Sequence, residues 1–175
     1  MNRERILVAA RKALAHSGEA SLQSIAKSAG VGQGTLYRHF ATREALVLAV
    51  HRKDVQELIE AAPQLAAALP APVAIREWLD RLASYGRIKH GLADALDLVI
   101  RQKLADEGYD SIIGAMSTLL DAGQSTGTVR HDIDAEEMLL LVGFLWRLDT
   151  DDRWEARSRH LLDLVMDCLT PRMPA

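Results

Sequence analysis

Apolar residues recur at helical spacing from the first turn of the chain. Ile6, Leu7, Ala10, Ala13 and Leu14 share one face, which predicts a helix over about Asn2 to His16, ended by Ser17-Gly18. Ser21 stands where an N-cap would open a short second helix that turns Leu22, Ile25 and Ala26 inward, and Ala29-Gly30-Val31-Gly32 breaks it. A third short helix is expected over about Gln33 to Phe40, with Leu36 and Phe40 on its inner face. Thr42 is placed to cap a long fourth helix from Arg43 to about Ala61, with Glu44 in its first turn, where the helix dipole favours an acid. Residues 62–72 hold Pro63, Pro70 and Pro72, and proline inside a helix removes a hydrogen bond and clashes with the preceding turn, so an interruption is expected there. Beyond it the pattern predicts helices at about 73–89, 91–106, 108–124 and 135–148, and another at about 153–169. Residues 127–132 read as a loop, and Asp134 with Glu137 has the form of a capping box. No run alternates as a strand would, so the predicted fold class is all-α.

Composition narrows the class further. With 175 residues, 49% hydrophobic and 26% charged, the chain has the balance of a folded globular protein and the length to bury a core. Cys168 is the only cysteine, so there is no intramolecular disulfide and no thiolate-rich zinc site; its register with Leu161, Val165 and Leu169 makes it a candidate small core residue. The N-terminus runs into a charged helix, not a signal-like apolar stretch, and the longest apolar run, Met138 to Trp146, is too short to span a bilayer. A cytoplasmic location with no membrane role is therefore expected. The six histidines lie far apart and no metal-binding spacing occurs, so no metal and no cofactor is expected. Gly30-Val31-Gly32-Gln33-Gly34 follows a helix and lacks the lysine of a phosphate loop. Asp149, Asp151 and Asp152 read as a solvated acidic link. No paired acid and base or activated nucleophile can be assembled, so an enzyme is not the expected reading.

Charge is distributed unevenly. Residues 1–53 carry nine Lys/Arg against three Glu, while the remainder carries twelve against twenty-one acids, under a net charge of -3. The basic end is the candidate surface for a polyanion. Within it, two short helices joined by a glycine-containing turn form a helix-turn-helix, whose second helix enters the major groove of DNA by its N-terminal end. On that second helix Gly34 and Arg38 point outward, flanked by Thr35 and Tyr37. Gln33 can offer its amide to adenine, Thr35 can meet a thymine methyl or a phosphate, and Tyr37 can donate its hydroxyl to a phosphate, while Gly34 allows close backbone approach.

The run Ser21-Leu22-Gln23-Ser24-Ile25-Ala26-Lys27-Ser28-Ala29-Gly30-Val31-Gly32-Gln33-Gly34-Thr35-Leu36-Tyr37-Arg38-His39-Phe40, followed by Arg43-Glu44-Ala45-Leu46, closely resembles the TetR family of bacterial regulators over residues 3–50. That family typically has Thr where Ser21 stands, Ser where Gly32 stands and Lys where Arg43 stands. Only the Gly32 difference removes chemistry, a capping hydroxyl. Gly91-Leu92-Ala93-Asp94-Ala95-Leu96 and the Gly-Val-Gly-Gln-Gly-Thr run also resemble a subgroup of that family. The resemblance implies an N-terminal three-helix DNA-binding domain over 1–50, joined by a long helix to a helical dimerisation and ligand domain over 51–175. It places Gln33, Gly34 and Thr35 over bases, Tyr37 and His39 on phosphates and Arg43 on the DNA backbone, with Gln23 at a position that reaches a base or phosphate. It implies a homodimer on a double-stranded, pseudo-palindromic operator, released by a small effector. The rival readings are an interaction module with a degenerate DNA-binding domain, against which the intact Gln33–His39 face argues, and an enzyme.

Two further expectations concern the C-terminal part. The segment from Met138 to Trp146 is apolar all round and needs cover on more than one side. Paired with the apolar residues of the last helix (Trp154, Leu161, Leu162, Val165, Cys168, Leu169), it suggests a four-helix dimer seam through Leu141, Leu145, Leu161, Val165 and Leu169. Trp78, Leu82 and Tyr85 fall near one helix face that ends at His90. With Leu96, Ile100, Met116, Leu120 and Phe144 they could line a mostly apolar effector cavity, the alternative being a filled core anchored by Trp78 and Tyr85.

Overall fold

The computed structural model describes the backbone of residues 1–16, 20–93, 98–149 and 151–171 and, within these, all side chains but those of 15, 16, 87–93 and 98–107. The described residues form helices joined by turns and loops, without strands: α1 Asn2–His16, α2 Leu22–Ala29, α3 Gln33–His39, α4 Arg43–Ala68, α5 Ala71–Ala93, α6 Leu98–Ser125, α7 Ala135–Leu141, a 3₁₀ segment Val142–Trp146, and α8 Trp154–Cys168. They form two compact units, Met1–Asp54 with Arg87–Leu104, and Val55–Gly86 with Ala105–Ala175.

In the first unit the inward faces of α1 to α4 meet as predicted. Ile6, Leu7, Ala10 and Leu14 pack with Ile25, Ala26, Leu36, Phe40, Leu46, Val47 and Val50 in one buried cluster. The expected caps are in place: the backbone N–H of Ser24 donates to Ser21 Oγ at 3.1 Å, and that of Ala45 to Thr42 Oγ1 at 3.1 Å. Hydrogen bonds from its own backbone N–H and from the Thr42 hydroxyl hold the Glu44 carboxyl below its ordinary range. That contribution is present above the carboxylate range and is lost as the pH falls through it.

Three departures from the predicted elements lie further along. Pro63 does not interrupt α4, which continues to Ala68. A proline in a helix interior costs about 3 kcal/mol, but Leu58, Ala61, Ala62 and Leu65 on either side of it are buried against Ala74, Ile75, Trp78 and Leu79 of α5. Burying even two such large side chains offsets that cost at about 1.5–3 kcal/mol each. The chain turns instead at Leu69-Pro70, where the Pro70 carbonyl accepts from the N–H groups of Val73 and Ala74, both at 2.9 Å, and Pro72 falls in the first turn of α5, where its missing N–H is harmless.

Among the described residues, neither boundary expected between the three helices over 73–124 interrupts a helix. α5 runs through Gly91 to Ala93, and α6 runs without a break across residues 106–108. One glycine weakens a helix by only about 1 kcal/mol. Gly108 has a packing reason to be there, since a Cβ at that position would lie 3.3 Å from Val55 Cγ1 of α4. The helix expected over 135–148 divides into α7, opened by a complete capping box between Asp134 and Glu137, and the 3₁₀ segment. With three residues per 3₁₀ turn, Val142 and Leu145 share the inner face, and both are buried. Cys168 lies exposed, not in the core.

Candidate nucleic-acid interface

The helix-turn-helix is α2, the turn at residues 30–32, and α3. Gly30 closes α2 in the left-handed conformation (φ 64°), its N–H donating to the carbonyls of Ala26 and Lys27. Any Cβ there would be strained by that φ and would lie 2.5 Å from Arg5 Nη2, the guanidinium that donates to the Gly30 carbonyl at 3.4 Å. Arg5 is thus a brace on the turn that the residue pattern did not single out, because nothing in spacing links position 5 to position 30. The first turn of α3 hangs on the carbonyl of Gly32, which accepts from Thr35 at 2.9 Å and Leu36 at 3.1 Å. Gly32 provides no side-chain cap, as its lost hydroxyl requires.

Leu36 is fully buried and Phe40 nearly so, which fixes the rotation of α3. The opposite face then carries Gln33, Gly34, Arg38 and His39 exposed, Tyr37 half exposed and Thr35 partly buried. No neighbouring atom lies within 4 Å of a Cβ built at Gly34, so its backbone is open to an approaching surface. Gln23 is exposed on α2, and Arg38 folds back to donate to the Gly34 carbonyl at 3.1 Å. Arg43 is partly buried, with its Nε donating to the Ala20 carbonyl at 3.5 Å, so it also braces the start of α4 against the segment leading into α2.

Much of the basic excess of this unit is committed internally. Arg11 pairs with the buried Asp54 at 3.1 Å, and Lys53 pairs with Glu4. Asp54 sits one residue beyond the segment over which the sequence reads most basic. Among the described residues, no group of three or more His, Cys, Asp or Glu is placed to hold a metal ion, and no helix is long and apolar enough to cross a membrane.

Residues 6–50 match the family model described as bacterial regulatory proteins, tetR family, and residues 70–171 match that of the SbtR-like transcriptional regulator C-terminal domain. The chain belongs to the TetR family. The TetR regulator SCO0520 from Streptomyces coelicolor is 37% identical, with a TM-score of 0.86 over 98% of this chain and 99% of that one. A TetR regulatory protein from Mycobacterium vanbaalenii is 30% identical, with a TM-score of 0.75 over 97% and 95%. Among curated proteins, the transcriptional repressor AcnR of Corynebacterium glutamicum is 28% identical over 94% of this chain and 90% of its own length. The regulator UidR of Escherichia coli is 41% identical over 59 residues, so this chain matches only 30% of the length of UidR. The Bacillus subtilis regulator FadR, solved in complex with stearoyl-CoA, shares the fold at 19% identity and a TM-score of 0.63.

In the second unit of this TetR-family chain, Trp78, Leu82, Tyr85, Met116 and Leu120 are brought together in one buried core, with Phe144 packed partly against it. Trp78 is sealed there, its Nε1 donating to the Leu58 carbonyl at 2.9 Å. Tyr85 stacks edge-on to Trp146, ring centres 6.0 Å apart. The side chains of His90 and Ile100 and the whole of Leu96 lie outside the described residues.

Of the five residues expected in a dimer seam, Leu145 and Leu169 are in the chain's own core, as are Trp154 and Leu162. Leu141 is exposed, and Leu161 and Val165 are half-buried. The outward apolar surface of α7 and α8 includes two residues missing from that expectation, Leu140 at 74% and Leu164 at 48% exposure. Leu145 is seven residues from the buried Met138, so the two share the inner face of a helical wheel within about 20°, and Leu140 lies on the opposite side.

Proposed function

We propose that this protein is a homodimeric, DNA-binding transcriptional regulator that occupies a pseudo-palindromic operator and leaves it when a small apolar effector binds the C-terminal unit. The observation that carries this reading is the α3 face: Gln33, Gly34, Arg38 and His39 exposed with Tyr37 beside them, on a helix whose rotation is locked by Leu36 and Phe40. Residues 1–50 are the DNA-binding domain and 51–175 the sensing and dimerising part. Repression is supported by the repressor AcnR, similar over most of both chains. An apolar effector among Trp78, Leu82, Tyr85, Met116, Leu120 and Phe144 is supported by their common core and by FadR, which is solved with stearoyl-CoA. A DNA partner supports a cytoplasmic location.

Duplex binding should be steeply salt-dependent: with about six to ten phosphates neutralised per dimer, affinity falls roughly 10³- to 10⁵-fold between about 50 and 200 mM salt. Tyr37→Ala should weaken binding to every sequence alike, because phosphate contacts position, whereas Gln33→Ala should change which sequence is preferred, because base contacts specify. A selection from random-sequence duplexes, repeated with each variant, reads both. Identical preferred sites for wild type and Gln33→Ala would remove Gln33 from base reading, and no retained duplex at all would favour an interaction module. An effector found by thermal shift must both raise the melting temperature and release DNA.

A further inference from the structure

Five of the nine Lys and Arg of residues 1–53 are held by protein acceptors: Arg5 by the Gly30 carbonyl, Arg11 by Asp54, Arg38 by the Gly34 carbonyl, Arg43 by the Ala20 carbonyl and Lys53 by Glu4. Arg3 is different. It is exposed in the first turn of α1, and its guanidinium carbon lies 5.5 Å from the centre of the Phe40 ring, with no acid paired to it among the described residues. A cation in the first turn of a helix works against the dipole, so helix stability does not explain an arginine there. A guanidinium over an aromatic face keeps its N–H fork pointing outward in the ring's periphery, with fewer rotamers to lose when it meets an oxyanion.

The ring that holds Arg3 belongs to the residue after His39. The His39 and Phe40 rings are 6.4 Å apart, which puts the Arg3 guanidinium within about 12 Å of the His39 ring. Both side chains are exposed at the C-terminal end of α3. Two cationic or hydrogen-bonding side chains this close can meet phosphates of the same stretch of backbone.

We infer that Arg3, seated on the Phe40 ring, is a further DNA-phosphate ligand of this domain, extending the contact run of Tyr37 and His39 along the same strand. The inference rests on the DNA-binding reading above. It gives Phe40 two roles, one edge closing the core under α3 and one face carrying the cation outside it. Position 3 also lies before the segment matched by the DNA-binding family model, which begins at residue 6.

The test needs no operator, because phosphate contacts act on any sequence: a labelled mixed-sequence duplex is titrated with the full-length protein from about 50 mM to about 1 M salt. Arg3→Ala should make the slope of log affinity against log salt shallower by about 1.8, two phosphates per dimer at about 0.9 each. At about 0.1 M salt that difference amounts to a loss on the order of 50-fold relative to about 1 M. Arg3→Lys should keep most of the slope, and Arg81→Ala, which removes the same charge from an exposed i,i+4 pair in the other unit, should leave it unchanged. A wild-type slope in Arg3→Ala overturns the inference, including the case where its melting temperature drops, which would make Arg3 only a brace on Phe40. A flat profile for the wild type would instead overturn the DNA-binding reading itself.

Discussion

Replacing Gly123 by alanine is expected to lower the stability of the protein by about 2–4 kcal/mol, although alanine is the better helix former and Gly123 is inside α6. A Cβ at this position would lie 2.4 Å from Val129 Cγ2, 2.9 Å from Val129 Cβ and 3.2 Å from Ala71 Cβ. Val129 is buried and cannot step aside, because its own N–H and that of Thr128 donate to the Gly123 carbonyl at 3.2 and 2.9 Å, with the Thr126 and Thr128 hydroxyls on the same oxygen. The glycine is therefore both the hub of the loop that follows α6 and the gap into which that loop packs. Gly114, nine residues earlier in the same helix, is exposed with no atom within 4 Å of its would-be Cβ. Gly114→Ala should stabilise by up to about 1 kcal/mol, the intrinsic propensity difference. Thermal melts of the two variants give opposite signs, with Gly123→Ala falling on the order of 10 °C. If both variants gain stability, the loop packs loosely and the close approach of Val129 has no energetic weight.

What the residue pattern conveyed depended on how local the physics was. The helix-turn-helix was legible because each of its signals acts over four residues or fewer: Ser21 and Thr42 cap the helices that follow them, Gly30 takes the left-handed turn, and Leu36 and Phe40 are one helical turn apart. The same holds for the capping box at Asp134. Where tertiary burial outweighs local propensity, the pattern misled. Pro63 reads as a breaker, but the core on both sides of it holds α4 straight through. Gly91 and the residues around 107 read as boundaries, but a glycine's small cost does not end a helix. The long-range braces, Arg5 on Gly30 and Arg43 on Ala20, connect residues more than twenty positions apart and leave no periodic trace. For the same reason the α3 face could be named residue by residue, while a seam drawn from apolar residues alone mixed inward Leu145 and Leu169 with outward Leu141.

That mixture leads to the prediction with the largest consequence for function. Leu140 and Leu164 are exposed at 74% and 48% in the isolated chain, on α7 and α8, so their side chains contribute little to the fold of one subunit and are available to cover a second copy. The double substitution Leu140→Asp, Leu164→Asp should leave helix content and melting nearly unchanged while converting the protein to a monomer, since each carboxylate would have to be desolvated at the seam without a partner. Affinity for an operator should then drop by several orders of magnitude, on the order of the specific binding energy that a second half-site supplies. The same change at Leu145, which is 1% exposed beside Val142 in the core, should unfold the second unit instead of dissociating it. Light scattering and circular dichroism separate the two outcomes. A folded dimer of Leu140→Asp, Leu164→Asp would move the interface off this face of α7 and α8. A folded monomer would show that an exposed leucine in the lone chain is there for the partner, and that reading two half-sites depends on side chains far along the sequence from the helix that reads each one.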